Sequence, residues 1–441
     1  MHLILLFISI AVLFLFPILY PPIASFTAYF FAKDDRLDAV SLFLLYSAAI
    51  VTSLIAATIT PYSDTANYLR SFERISFFDF RMLSLDNDGF EPLYKVYELI
   101  LSIFIGDNPR LFLLTTALII NTLATTAILR ICIRLHQYQL PCLILAVCYS
   151  LVAPAFGMPL FLLRSSLSLA ILFLGISFYN ELPLLFYLLG IVSIFIHFSS
   201  LLVFGLIIVH KYCLIFGIKI SELSKKIFYT SISGSHFSKV FLLIFIAGFF
   251  VALFAPSLTA PTLLTFLSNF GSSENVSSGK AKSFLDARDE NTTDFTNPVF
   301  IIQVLVTLFC FLKIQNNSAS SCNKDQLKNM KNIDFLGSLM LVGRTLITLI
   351  IVTAPINALP YRLGFFNFMY FPLWLINVPF TFLGKQIKNY SQYLVLFTLV
   401  SVLAYSFYWV PKREGGNYYA VVVLESKPLQ YNLVQLVGYF L

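Results

Sequence analysis

A chain of 441 residues that is 58% hydrophobic and only 12% charged, with 47 phenylalanines, has too much apolar surface for a water-soluble interior to hide. The net charge of +7 does not mark a nucleic-acid binder, because the basic residues fall between apolar segments, where they report membrane orientation. Six cysteines, with no Cys-x-x-Cys pair, read as small packing residues and argue against a disulfide framework or a cysteine metal site.

Apolar segments long enough to cross a hydrocarbon core of about 30 Å recur along the chain, which predicts an all-α polytopic membrane protein with about twelve transmembrane helices. The expected spans are 3–31, 39–59, 111–131, 141–157, 163–179, 183–197, 199–217, 240–257, 298–313, 335–355, 363–383 and 392–410, in one integral membrane domain over 1–441. The first has no small-residue cleavage site after it and reads as retained, not as a signal peptide. Leu93–Ile105 is too short to cross, ends in Gly106-Asp107-Asn108-Pro109, and reads as an interfacial or re-entrant helix. The run around His197-Phe198-Ser199-Ser200 is too long for one crossing; a tight hairpin there is the first reading and one broken helix the other.

Lysine and arginine set the orientation. Lys33, Arg36, Arg130, Arg134, Lys211, Lys219, Lys225, Lys226, Lys239, Lys313, Lys324, Lys328, Lys331, Lys385 and Lys388 alternate with the spans and are expected on the cytoplasmic side. The opposite loops are acid-biased: 60–110 holds eight Asp/Glu against five Lys/Arg, and 258–297 five against three. Both loops, and both termini, are therefore expected outside. No internal repeat is visible, which weighs against an inverted-repeat transporter.

The outward polar groups are few, and each carries two readings. Asp64 follows the second span; in a helix over 64–75 it shares a face with Tyr68 and has Arg70 near the edge, which suits chemistry, while an N-cap suits it equally. Glu91, before Pro92, is a second acid or a cap of the helix that proline opens. Arg164 opens the fifth span and Arg362, beside Tyr361, opens another; each binds an anion through its planar fork or snorkels to headgroups. Arg344 lies in mid-span, where a cation needs a cavity or an acidic partner. His197, at the outer turn, is structural or functional. His2, His210 and His236 look incidental, and chance explains the sequons at Asn275 and Asn291 in a loop so rich in Asn, Ser and Thr. There is no metal-ligand spacing, phosphate loop or Ser-His-Asp order.

Ser63-Asp64 with Tyr68, then Glu91-Pro92-Leu93-Tyr94, then Arg164-Ser165-Ser166-Leu167, then His197-Phe198-Ser199, occur in this order. The series resembles the EpsG-like branch of the Wzy polysaccharide polymerases, with its motif content between 60 and 200. It departs at Ser165, where that family often has Gln. The resemblance implies a GT-C-like glycosyltransferase of the bacterial inner membrane with its site facing the periplasm. It would join undecaprenyl-diphosphate-linked oligosaccharide repeat units, as donor and acceptor, into O-antigen, capsule or exopolysaccharide. Catalytic residues would be Asp64, Glu91 and His197, with Asp64 as the leading candidate, and Glu91 as the alternative, for the base that activates the acceptor hydroxyl. Substrate would be bound by Tyr68, Arg70, Arg164, Arg344, Tyr361 and Arg362, the outer arginines stabilising the leaving diphosphate. No cofactor, metal or nucleic acid is implied; membrane lipid and a chain-length-regulating co-polymerase are the expected partners. An O-antigen ligase would carry its His and Arg in a late outer loop, yet 258–297 has Arg288 and no histidine. A flippase or other transporter would need several charges within spans, and only Arg344 is clearly so placed.

Overall fold

The structure, a computed structural model, describes residues 2–33, 35–58, 64–75, 91–135, 137–150, 160, 162–219, 335, 339, 342 and 431–440. Among these every regular element is helical. The chain divides into two units, Met1–Gly205 with Lys388–Leu441, and Leu206–Ile387. The first holds nearly all the described residues. Two helices, Ala39–Ala57 and Pro109–Arg134, are long and apolar enough to cross a membrane.

The expected single crossing over 3–31 is instead a helical hairpin. Helix α1 (His2–Leu15) ends before Pro17, and a short 3-10 turn (Pro17–Leu19) leads into α2 (Tyr20–Phe31). Proline supplies no N–H to the helical ladder and its ring crowds the preceding turn, so the helix breaks there. The two halves fold back on each other: the Ser9 and Thr27 hydroxyls are 2.8 Å apart, and the His2 and Phe31 rings 5.3 Å. At 1.5 Å per residue each half is about 18–21 Å long, short of a hydrocarbon core. His2 therefore lies at the Phe31 end of the bundle, not at the opposite end as a crossing would require.

Helix α3 (Ala39–Ala57) returns past α2, with Tyr20 bonded to Ser47 at 2.6 Å, and leads to α4 (Asp64–Glu73). Helix α5 (Pro92–Ile105) opens on Pro92 and closes at Gly106, whose φ of +65° a residue with a Cβ would adopt only under strain. The Asn108 side chain then accepts from the N–H groups of Arg110 and Leu111, capping α6 (Pro109–Arg134). The Gly-Asp-Asn-Pro turn thus ends one helix and starts the next. Helix α6 packs on α3 through polar contacts, Asn121 Nδ2 to Ser53 Oγ at 2.9 Å and Tyr46 to Thr126 at 3.0 Å. Between helices in lipid such bonds contribute about 0.6 kcal/mol each.

Helices α7 (Leu140–Ser150), α8 (Leu163–Ser177), α9 (Pro183–Ile196) and α10 (Ser200–Lys219) follow, and a short helix α11 (Leu433–Gly438) lies near the C-terminus. The long apolar run breaks at His197–Ser199, and Phe186 of α9 meets Phe204 of α10 at 5.4 Å. The expected spans from 240 onward lie outside the described residues, apart from three positions in 335–355, as does loop 258–297.

The first unit has two distinct ends. Gln139 donates to the Ala32 carbonyl at 3.1 Å, and Arg130 pairs with Glu181 at 2.8 Å, so Lys33, Arg36, Arg130 and Arg134 gather at one end. At the other end a core cluster joins the last turn of α3, α4, α5 and the first turns of α6 and α8. Phe72 of α4 stacks on Phe112 of α6 with centroids 4.2 Å apart, both fully buried. Helix α8 separates the ends by about 22 Å.

Close approach of α8, α9 and α10 depends on small residues. A Cβ added at Gly175 would sit 3.0 Å from Leu189 Cβ, and one at Gly190 would enter the Phe204 ring. Gly190→Val should lower stability by about 1–3 kcal/mol, seen as a lower unfolding temperature in detergent. An unchanged temperature would contradict this packing.

Candidate active site

Four separate elements bring side chains together at the end opposite the basic cluster. Glu91 stands just before α5, Tyr68 on α4, Arg164 in the first turn of α8, and His197 at the turn after α9. Glu91 occupies the N-cap position of α5 but makes no side-chain cap hydrogen bond. Its carboxylate turns instead to the other elements. Arg164 Nη1 donates to Oε2 at 2.6 Å, and His197 Nδ1 meets Oε1. The backbone N–H of Phe198 donates to the same carboxylate. The capping reading of Glu91 gives way to these three partners.

The serines around His197 explain its local sequence. His197 is extended (φ −155°, ψ 122°), and its N–H donates to the Ser193 carbonyl at 3.0 Å. Its carbonyl accepts from Ser200 Oγ at 3.1 Å and Ser168 Oγ at 3.4 Å. Ser168 also donates to the Ser193 carbonyl at 2.8 Å, and Ser193 and Ser200 face each other at 3.2 Å. Buried serines of α8, α9 and α10 therefore pin the backbone that carries the imidazole. The backbone so held carries the ring to Glu91.

Arg164 is held on a second side by aromatic rings. Its guanidinium lies 4.9 Å from the Tyr68 centroid and 5.7 Å from that of Tyr94, whose rings meet edge-on at 5.9 Å. A cation over a ring face gains about 0.5–2 kcal/mol, more as water is removed. Arg164 Nε is buried without a hydrogen-bond partner. The side chains of Glu91, His197 and Arg164 remain 14%, 25% and 29% exposed, so the cluster is sheltered but open to a ligand.

The other expected residues divide. Arg70 is exposed and bonds to its own helix, to Asn67 Oδ1 at 2.5 Å and the Ala66 carbonyl at 3.4 Å, so these bonds do not tie it to Glu91. Asp64 is the first residue of α4; its side chain, like Arg344, Tyr361 and Arg362, lies outside the described residues. Sequence reasoning missed Tyr94 as a site residue, and Lys95 and Glu98 altogether. The signal was there: Glu91, Tyr94, Lys95 and Glu98 form an i, i+3, i+4, i+7 stripe on one side of α5. Among the described residues no group of three His, Cys, Asp or Glu side chains is placed to hold a metal.

Burial pushes the Glu91 carboxyl up, but the bond and charge of His197, the charge of Arg164 and the Phe198 N–H together pull it below its ordinary value of 4.5. A lowered carboxyl adds stability above that ordinary value and loses it as pH falls through the folded value. The unfolding temperature should therefore drop on acidification below about pH 4.5, and Glu91→Gln should lack that portion of the drop. At neutral pH the Gln variant should be less stable by about 1.5–3 kcal/mol, the worth of a hydrogen bond to a charged group. An acid limb identical in the two proteins would contradict the three-way carboxylate.

The EpsG family model matches residues 41–422, which takes in every element of this cluster. No curated protein and no solved structure matches the chain. With most of its length matched and its apolar helices in place, the chain belongs to the EpsG family, of the polysaccharide-polymerase type of membrane protein.

Proposed function

We propose that the chain is a polymerase that joins undecaprenyl-diphosphate-linked oligosaccharide repeats into O-antigen or a related surface polysaccharide, working at the periplasmic face of the inner membrane. The observation that carries the reading is the Glu91 carboxylate shared by His197 and Arg164. A carboxylate on Nδ1 fixes the neutral imidazole with its proton on that nitrogen, which leaves Nε2 as a base. Glu91 itself, held low by its partners, is a weak base and a good orienting group. The roles are then divided. His197 takes the proton of the acceptor hydroxyl, the hydroxyl oxygen bonds to the donor's anomeric carbon, and the bond from that carbon to the diphosphate breaks. The electron pair leaves with the diphosphate, whose charge Arg164 stabilises.

Charge placement supports the outward orientation. Lys33, Arg36, Arg130 and Arg134 lie at the far end from the site, and basic residues of membrane proteins collect on the cytoplasmic side. Asp64 at the start of α4 is the competing base, one helical turn before Tyr68.

The test is genetic. His197→Gln keeps hydrogen-bonding capacity but removes the titratable base, and loss of a general base typically costs about 10²–10⁴ in rate. Cells with this variant should show core bearing a single repeat on a polysaccharide gel, while Asp64→Asn retains long chains. Normal polymer from His197→Gln with single repeats from Asp64→Asn would move the base to Asp64. Bare core with polymer on the carrier lipid would indicate a ligase, and absence of both from the outer face a flippase.

A further inference from the structure

A second charged centre lies one to two turns along α5 from the site. Glu98 is fully buried, which for a carboxylate is expensive unless partners replace water. Lys95, one turn earlier on the same helix, places Nζ 3.4 Å from Glu98 Oε2. Lys95 also donates to Ser71 Oγ on α4 at 2.7 Å, and Ser71 donates onward to Glu98 Oε2 at 3.4 Å. The result is a triangle that ties α4 to α5 through charge. The other carboxylate oxygen, Oε1, and the Tyr94 hydroxyl are both sealed from solvent without a hydrogen bond of ordinary geometry, yet the phenol still favours the charged carboxylate. Burial pushes the Glu98 carboxyl up, and Lys95, Tyr94 and Ser71 pull against that without cancelling it.

A leucine at this position would pack without the desolvation cost, and replacing buried ion pairs by apolar groups is often neutral or stabilising. Net stability is a weak reason for such a triangle, and what it positions is the other consequence of its geometry. Ser71 is one helical turn from Tyr68, and Lys95 adjoins Tyr94. These are the two rings against which the Arg164 guanidinium rests. Thr65, bonded to the Leu160 carbonyl at 2.9 Å, holds the earlier turn of α4, and Phe72 buries the far side against α6. Ser71 carries the polar contact between α4 and α5, beside the contact of the Tyr68 and Tyr94 rings.

We infer that Glu98 is a positioning residue: through Lys95 and Ser71 it sets the register of α4 on α5, and so holds the Tyr68 ring against Arg164. Its consequence for turnover rests on the function proposed above, but the geometric claim does not. Misplacement of a catalytic group by about 1 Å can cost on the order of a hundredfold in rate.

The test puts 3-fluorotyrosine at position 68 of the full chain in lipid nanodiscs and reads its 19F resonance, with Arg164→Gln marking the ring without its cation. Glu98→Gln should move the resonance part of the way toward that mark, with kcat for elongation of a lipid-linked repeat down about ten- to a hundredfold at unchanged KM. Ser71→Ala, which removes little volume, should move it in the same direction and carries the test if Glu98→Gln does not fold. A wild-type Tyr68 resonance in the folded variants overturns the inference, even where thermal stability falls. A shifted resonance with wild-type elongation upholds the positioning and counts against the role given to Arg164 in turnover.

Discussion

A half-buried carboxylate has to replace the water it gives up, and Glu91 does so with groups that the chain carries far away in sequence. Arg164 comes from the start of α8, His197 and the Phe198 N–H from the turn after α9. Removing one partner leaves the remaining charges uncompensated, so the ends of three helices are energetically linked. Tyr68 and Tyr94 extend the linkage to α4 and the body of α5 by lying against the guanidinium. In the function proposed above, the same arrangement that makes the site costly to take apart also orients the imidazole and leaves its second nitrogen as the base.

The scaffold beneath supplies rigidity by other means. Apolar burial contributes little to helix association in lipid, so close packing at Gly175 and Gly190 and hydrogen bonds such as Asn121 to Ser53 and Thr125 to Tyr149 take over. The buried serines Ser168, Ser193 and Ser200 belong to this pattern and serve the site as well, because the backbone they hold is that of His197. Membership of the EpsG family places the arrangement in a polymerase-type membrane protein.

Much of this was legible in the sequence, and for physical reasons. Helix α5 and its limits follow from Pro92 and the Gly106–Pro109 turn, since proline and positive-φ glycine act locally. The break at His197 follows from a run too long for one crossing. Hydropathy misread the N-terminus because Phe16-Pro17 is no less apolar than a spanning helix; the fold-back lies in backbone chemistry, not in polarity. Glu91, Tyr68, Arg164 and His197 were named from sequence, but their pairing was not, and Tyr94 was missed. Arg164 has no acid near it along the chain, and the one that neutralises it stands 73 positions away. Glu98 went unnoticed because one acid and one lysine hardly alter the apolar average of α5, although their i, i+3 spacing places them on one side.

The proposed chemistry requires that Glu91 hold the Nδ1 proton of His197 and leave Nε2 bare. With only five histidines in the chain, 15N-histidine labelling and His197→Gln as the assignment control would resolve this ring by NMR in nanodiscs at neutral to alkaline pH. A protonated Nδ1 and an unprotonated Nε2 are expected in the wild-type protein, with that preference lost in Glu91→Gln. A wild-type ring protonated on Nε2, or one whose tautomer ignores the Glu91 substitution, would contradict that chemistry.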